Sequence, residues 1–339
     1  MTGTSTDAPA RAAASRWAAG PTGTVTSERP ASPASEGRVP PATAPGRAGA
    51  SLSVPRAVLL ADVLLAPADG VISPEDLTRL RDALGRDLQA VAADLPPGER
   101  LRLDAFAMRT ARRHPERCAA GNDSFTPSPR TCRRAVGVAA VARCVRGVAP
   151  GPVAAVADVL DQGVDDLGAP GGASRAPWWA GWYAGLPRGA RAVVQAEATT
   201  WATRLLTALE WRRFPRPAVV GGRDDWWQCP GGPQLTLQGR AEVRVQADRR
   251  LALLVVGSGR CPEDWRLELG FPGLVAALVR DAAAAPCRVV GVWPDSGQVR
   301  VLRLDVAALE ATATAVVSAV GTWVDARIDA GHGAHGGAA

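Results

Sequence analysis

Residues 239–260 read GRAEVRVQADRRLALLVVGSGR, and this run decides the fold class. Its second half, Leu251 to Val256, is a continuous apolar stretch of strand length. That is the pattern of a central strand buried on both faces of a sheet. Residues 241–247 alternate instead, with Val243 and Val245 on one face and Glu242 and Arg244 on the other. A third short strand is expected over 234–239. Downstream, 266–284 carries a helical pattern. Residues 287–293 and 298–304 read as two more strands, joined by a turn at Pro294-Asp295-Ser296-Gly297. A last amphipathic helix is expected over 306–328, with Asp305 placed to cap it. Upstream, a long helix over about 189–213 lines up Val194, Ala198, Trp201, Leu205 and Leu209 as one apolar stripe. The order is helix, three strands, helix, two strands, helix. It predicts an α/β fold with a mixed central sheet flanked by helices.

Outward from this core, residues 51–185 read as a helical region. Ser73-Pro74-Glu75-Asp76 starts one helix, with Ser as N-cap, Pro in the first turn and acids at the positive dipole end. Leu77, Leu80, Leu84 and Leu88 then recur on one face. Pro96-Pro97-Gly98 is expected to close that segment. Another helix follows Thr126-Pro127-Ser128-Pro129 and carries Arg130, Arg133 and Arg134 in its first turns. Cations there oppose the helix dipole, which hints at a use such as phosphate contact. A further helix is expected near 152–165, before a Gly/Pro/Ala linker at 168–177. Trp178, Trp179, Trp182 and Tyr183 come next, either to stack on bases or to pack one helix on another. Residues 1–50 are Ala, Pro, Gly, Ser and Thr with almost no large aliphatic side chains. They cannot bury enough apolar surface to offset ordering and are expected to be a disordered tail. The implied organisation is a tail over 1–50, a helical region over 51–185, an α/β domain over 186–328 and a flexible tail over 329–339.

All 39 basic residues are arginine. Chemistries that require lysine are therefore excluded, among them a Walker phosphate loop, a Schiff-base enzyme and a protein-kinase site. The net charge of +6 is uneven. Residues 101–150 hold ten arginines against three acids, and 201–250 hold nine against five. Such segments point either to an anionic partner, nucleic acid first, or to an arginine-rich solvated face. Six cysteines contain no Cys-x-x-Cys pair. His114, Cys118, Cys132 and Cys144 match no standard zinc spacing, so ordinary buried thiols are expected. His332 and His335 fall in the terminal tail, which leaves His114 as the one histidine of the body. With no apolar leader and no run of 18 apolar residues, a cytoplasmic protein with reduced cysteines and no membrane partner is expected.

Three short motifs carry a resemblance. Gly239-Arg240-Ala241-Glu242 sits on the first alternating strand. Val255-Val256-Gly257-Ser258-Gly259-Arg260 ends the apolar strand. Phe271-Pro-Gly-Leu-Val275 lies on the helix that follows. Residues from about 190 to 326, some 40% of the chain, resemble the PD-(D/E)XK nuclease superfamily in its RecB-like exonuclease branch. That resemblance implies a restriction-endonuclease-like core. Its strand Gly-Arg-Ile-Asp supplies one metal-binding carboxylate, its next strand carries Asp-x-Lys, and its helix carries Gln-x-x-x-Tyr. Glu242 then stands for the first carboxylate, Val255 for the aspartate, Gly257 for the lysine, Phe271 for the glutamine and Val275 for the tyrosine. Glu197 is the acid nearest to the family's upstream acidic position. Two carboxylates and a lysine are what such a site needs to hold Mg²⁺ or Mn²⁺ and activate water. One carboxylate and the lysine are absent, and arginine stays protonated and cannot serve as a base.

Three functions follow as expectations. The first is a catalytically impaired RecB-like domain, with no cofactor, that binds DNA or a DNA-processing protein. Arg130, Arg133, Arg134, Arg240 and Arg260 are its candidate nucleic-acid contacts. The second is an active, divergent nuclease using Mg²⁺ or Mn²⁺ on Glu242 with a displaced acid, Glu197, Asp224 or Glu268. The third is a protein-interaction module of the same fold. The plainer reading of Glu242 is a solvent-facing residue paired with Arg244 or Arg240. That of Asp224-Asp225-Trp226-Trp227 is a loop with its tryptophans docked on the sheet.

Overall fold

The computed structural model describes residues 72–95, 98, 100–119, 127–209, 211, 219–230, 235–247 and 250–335. The tail expected over 1–50 lies outside the described residues, as does Pro96-Pro97.

Helix α1 spans Pro74–Ala92 and begins where its cap predicts, with Ser73 Oγ accepting the N–H of Asp76 at 3.0 Å. Leu77, Leu80, Leu84 and Leu88 are all buried. Strand β1, Leu101–Asp104, comes next and was not expected: four residues hold only one alternation. Asp104 ends β1 and caps helix α2, Ala105–Arg113, through the N–H of Ala107 at 2.8 Å. Helix α3 is Pro115–Ala119. Helix α4, Pro129–Val145, opens on a capping box between Ser128 and Thr131. Helix α5 is Pro152–Gly168, short turns follow at Gly172–Arg175 (α6) and Ala180–Ala184 (α7), and α8 is Arg188–Ala208.

Besides β1, the strands differ from expectation in two respects. Residues 234–239 and 241–247 are not two strands but one, β3, Leu235–Ala247, of 13 residues. The strand before it is β2, Val219–Gln228, which contains the Asp-Asp-Trp-Trp stretch read as a loop. Adjacent aspartates argue against a strand by propensity. Here Asp225 is neutralised by Arg244 at 2.7 Å and Arg280 at 2.9 Å. Strand β4, Arg250–Val256, is the central strand foreseen. Helix α9, Trp265–Leu278, stops six residues short of the expected end, and a 3-10 turn at Ala282–Ala284 follows. Strands β5, Pro286–Trp293, and β6, Gln298–Arg303, match closely. Helix α10 runs Val306–His335, capped by Asp305, and so continues through most of the expected flexible tail. Each added residue brings one more hydrogen bond, and no proline intervenes.

The six strands form one mixed sheet. Strands β2, β3 and β4 are an antiparallel meander. Helix α9 then crosses over to β5, parallel to β4, and β6 pairs antiparallel with β5. Strand β3 is long enough for two partners on one side. β1 runs parallel to its residues 235–238, and β4 runs antiparallel to its residues 243–247. Helices cover both faces. Leu253, Val289 and Trp293 face a core closed by α1, α2, α3, α9 and α10. Leu254, Val290 and Val292 face a second core closed by α4, α5, α7 and α8. Residues 72–185 thus supply helices to both layers and a strand to the sheet. Among the described residues, α10 is the one helix long and apolar enough to cross a membrane by length and composition. Its Leu309, Val316, Val320 and Val324 are buried against the first layer.

Helices α4 and α8 approach closely at Gly137. A Cβ on that residue would lie 2.3 Å from the Trp201 ring, which is itself 1% exposed. Gly→Ala inside a helix ordinarily gains up to about 1 kcal/mol. Gly137→Ala is expected instead to destabilise by ~1–3 kcal/mol, because the indole cannot yield without repacking the core. Gly189→Ala in α8, where nothing lies within 4 Å, should be neutral or stabilising in the same urea titration.

Candidate functional site at the sheet fork

Leu235, Leu237 and Ala241 of β3 pack into the first core, but Val243 and Val245 pack into the second. Residues two apart on a regular strand share a face, so the phase changes at Glu242. Strand β2 takes three steps, Val220 to Arg223, opposite two on β3. On the other side, pairing with β1 ends at Gln238 and pairing with β4 begins at Val243. Residues 239–242, the Gly-Arg-Ala-Glu motif, therefore lie in a fork of the sheet.

Glu242 fills the fork and is 2% exposed. One carboxylate oxygen accepts the backbone N–H of Val256 at 2.9 Å, and the other accepts from the Arg134 guanidinium. Arg134 Nε also donates to the carbonyl of Val256 at 2.9 Å, so acid and arginine together bridge β3, the end of β4 and the start of α4. Arg240, 57% exposed, stands 3.9 Å away. Glu242 is thus neither solvent-facing nor paired chiefly with its strand neighbours. Arg134 arrives from another helix, and Arg244 is held by Asp225.

The other two arginines of α4 are engaged as well. Arg133 donates to Asp295 Oδ2 at 3.0 Å and lies 3.8 Å from Glu197. The same aspartate oxygen accepts the N–H of Gly259 at 2.7 Å. Arg130 donates to the carbonyl of Ser258 at 2.8 Å. All three cations that oppose the α4 dipole fasten that helix to the ends of β4 and β5. Arg260 is exposed and lines an open depression with Gly259, Asp295, Ser296 and Gln298. The fork therefore gathers Glu242, Arg134 and Arg240, while Arg130 and Arg133 tie the same helix to Ser258 and Asp295, with Glu197 beside Arg133.

The remaining acids lie elsewhere. Asp224 is on β2 opposite Arg240 and accepts from Gln238 at 2.6 Å. Glu268 is on α9 and faces Arg109 at 3.8 Å. Among the described residues, no three His, Cys, Asp or Glu side chains gather as metal ligands. Val255 packs against the first core. At Gly257 a Cβ would lie 2.1 Å from Trp293 Nε1, so the indole occupies the room a side chain would need. Phe271 and Val275 are buried core residues, at 1% and 0% exposure. Of the positions compared with the metal-activating groups, Glu242 alone carries a carboxylate, and each of its oxygens already accepts one hydrogen bond, from Arg134 and from the Val256 N–H.

Two residues that matter here, Arg134 as the partner of Glu242 and Asp295 as the hub of the turn, were not assigned those roles from the sequence. The available signal was the cluster of cations at a helix N-terminus. Of the aromatic cluster, Trp179 and Tyr183 pack edge to face at 6.3 Å inside the second core, while Trp178 is exposed. The six cysteines are free thiols. Cys118 and Cys132 belong to cores on opposite faces of the sheet, so they cannot share a metal. No family model matches the chain, and no curated protein sequence matches it.

Glu242→Ala should destabilise by about 3 kcal/mol, because Arg134 and the Val256 N–H then lose their partner. The double variant with Arg134→Ala should cost clearly less than the two single losses added, read by urea unfolding. Burial pushes the Cys132 thiol up to about 12. At pH 8 its thiolate fraction is then on the order of one in 10⁴. Iodoacetamide should label it only on unfolding, which mass spectrometry of the alkylated peptide would report.

Proposed function

We propose that this chain is a catalytically impaired nuclease-like protein, resembling the RecB-like branch of the PD-(D/E)XK superfamily, that acts by binding nucleic acid. The order α8, β2, β3, β4, α9, β5 supports the reading: helix, antiparallel meander, crossover helix, parallel strand. Glu242 falls on the second strand of the meander, and the Val255–Gly257 segment at the end of the third.

The observation that carries the proposal is the state of Glu242. A metal-binding carboxylate must offer lone pairs to the ion. Both oxygens of Glu242 are instead directed at Val256 and Arg134. Arginine keeps its proton at any working pH, so it blocks the carboxylate without replacing a base. The lysine position at Gly257 is walled off by Trp293. On this reading the carboxylate serves as a structural joint between β3, β4 and α4. Because Arg130, Arg133 and Arg134 are tied to protein partners, contact with phosphate falls to the exposed Arg240 and Arg260.

The test is a cleavage assay on single- and double-stranded DNA with Mn²⁺, run beside a binding titration over a range of salt. Neither wild type nor Glu242→Gln should cleave. Wild type should bind with an affinity that falls steeply as salt rises. Joint replacement of Arg240 and Arg260 by Gln should flatten that slope. Cleavage by wild type that Glu242→Gln abolishes would overturn the proposal in favour of a rebuilt metal site. Binding that ignores salt, or no binding, would overturn the nucleic-acid role.

A further inference from the structure

We draw no further inference here: the strongest candidate, the open depression at the carboxyl ends of β4 and β5 lined by Gly259, Arg260, Asp295, Ser296 and Gln298, sets one arginine against one carboxylate that Arg133 and the Gly259 N–H already hold, and nothing among the described residues shows what occupies it.

Discussion

A buried carboxylate held between an arginine and a backbone N–H is the joint on which this molecule turns. Where β1 and β4 part company along β3, the sheet leaves main-chain groups without a ladder partner, and buried groups of that kind cost free energy comparable to a lost hydrogen bond. Glu242 satisfies the N–H of Val256, and Arg134 satisfies its carbonyl. The charge of each then compensates the other. A buried ion pair is no guarantee of stability against an apolar substitute, but removing one member strands the other. Its value here lies in geometry, since one interaction fixes where β4 ends, how α4 docks and where β3 changes phase.

Arginine does this joining throughout the chain, which changes how its basic charge should be read. Arg81 on α1 donates to the carbonyls of Leu278 at 3.0 Å and Ala277 at 3.2 Å, closing the C-terminus of α9. Arg280 grips Asp225 with two bonds of 2.9 Å. In the 101–150 segment, Arg109 faces Glu268, Arg112 and Arg113 face Asp264, and Arg143 faces Asp158 and Gln162. With Arg130 on Ser258, Arg133 on Asp295 and Arg134 on Glu242, most of that segment's cations have protein partners. A planar fork with five donors suits bridging between elements, where the lysine ammonium would act as a point charge. The local excess of +7 therefore overstates what a polyanion could meet.

The fold was legible where burial imposes a period. The apolar run of β4, the stripes of α1 and α8 and the turn at 294–297 each state their environment in composition. Legibility failed where tertiary partners override local preference. Strand β2 holds two adjacent aspartates, made tolerable by Arg244 and Arg280 on Asp225 and by Gln238 on Asp224. Strand β1 is too short to show a period. The division of residues 72–185 between two layers leaves no trace in a linear reading, because helices on either face carry the same amphipathic stripe. The site was half legible. The Gly-Arg-Ala-Glu motif marked the right place, but burial of Glu242 depends on a β3 phase change that strict alternation conceals.

A lone carboxylate in such a fork is a buried charge that the fold cannot carry unpaired. An arginine from the adjoining helix supplies the cation permanently. Glu242 is thereby held as a structural group, and Trp293 packs against the glycine at 257. Among the described residues, the part of the sheet that meets solvent includes the second half of β2, where Trp226 is exposed. Trp226 and Trp227 divide there, one into the core and one outward. Register alone makes that division, since neighbours on a strand face opposite ways. An exposed ring beside a buried one is thus a direct consequence of β2 being a strand, and no reading of that stretch as a loop could have supplied it.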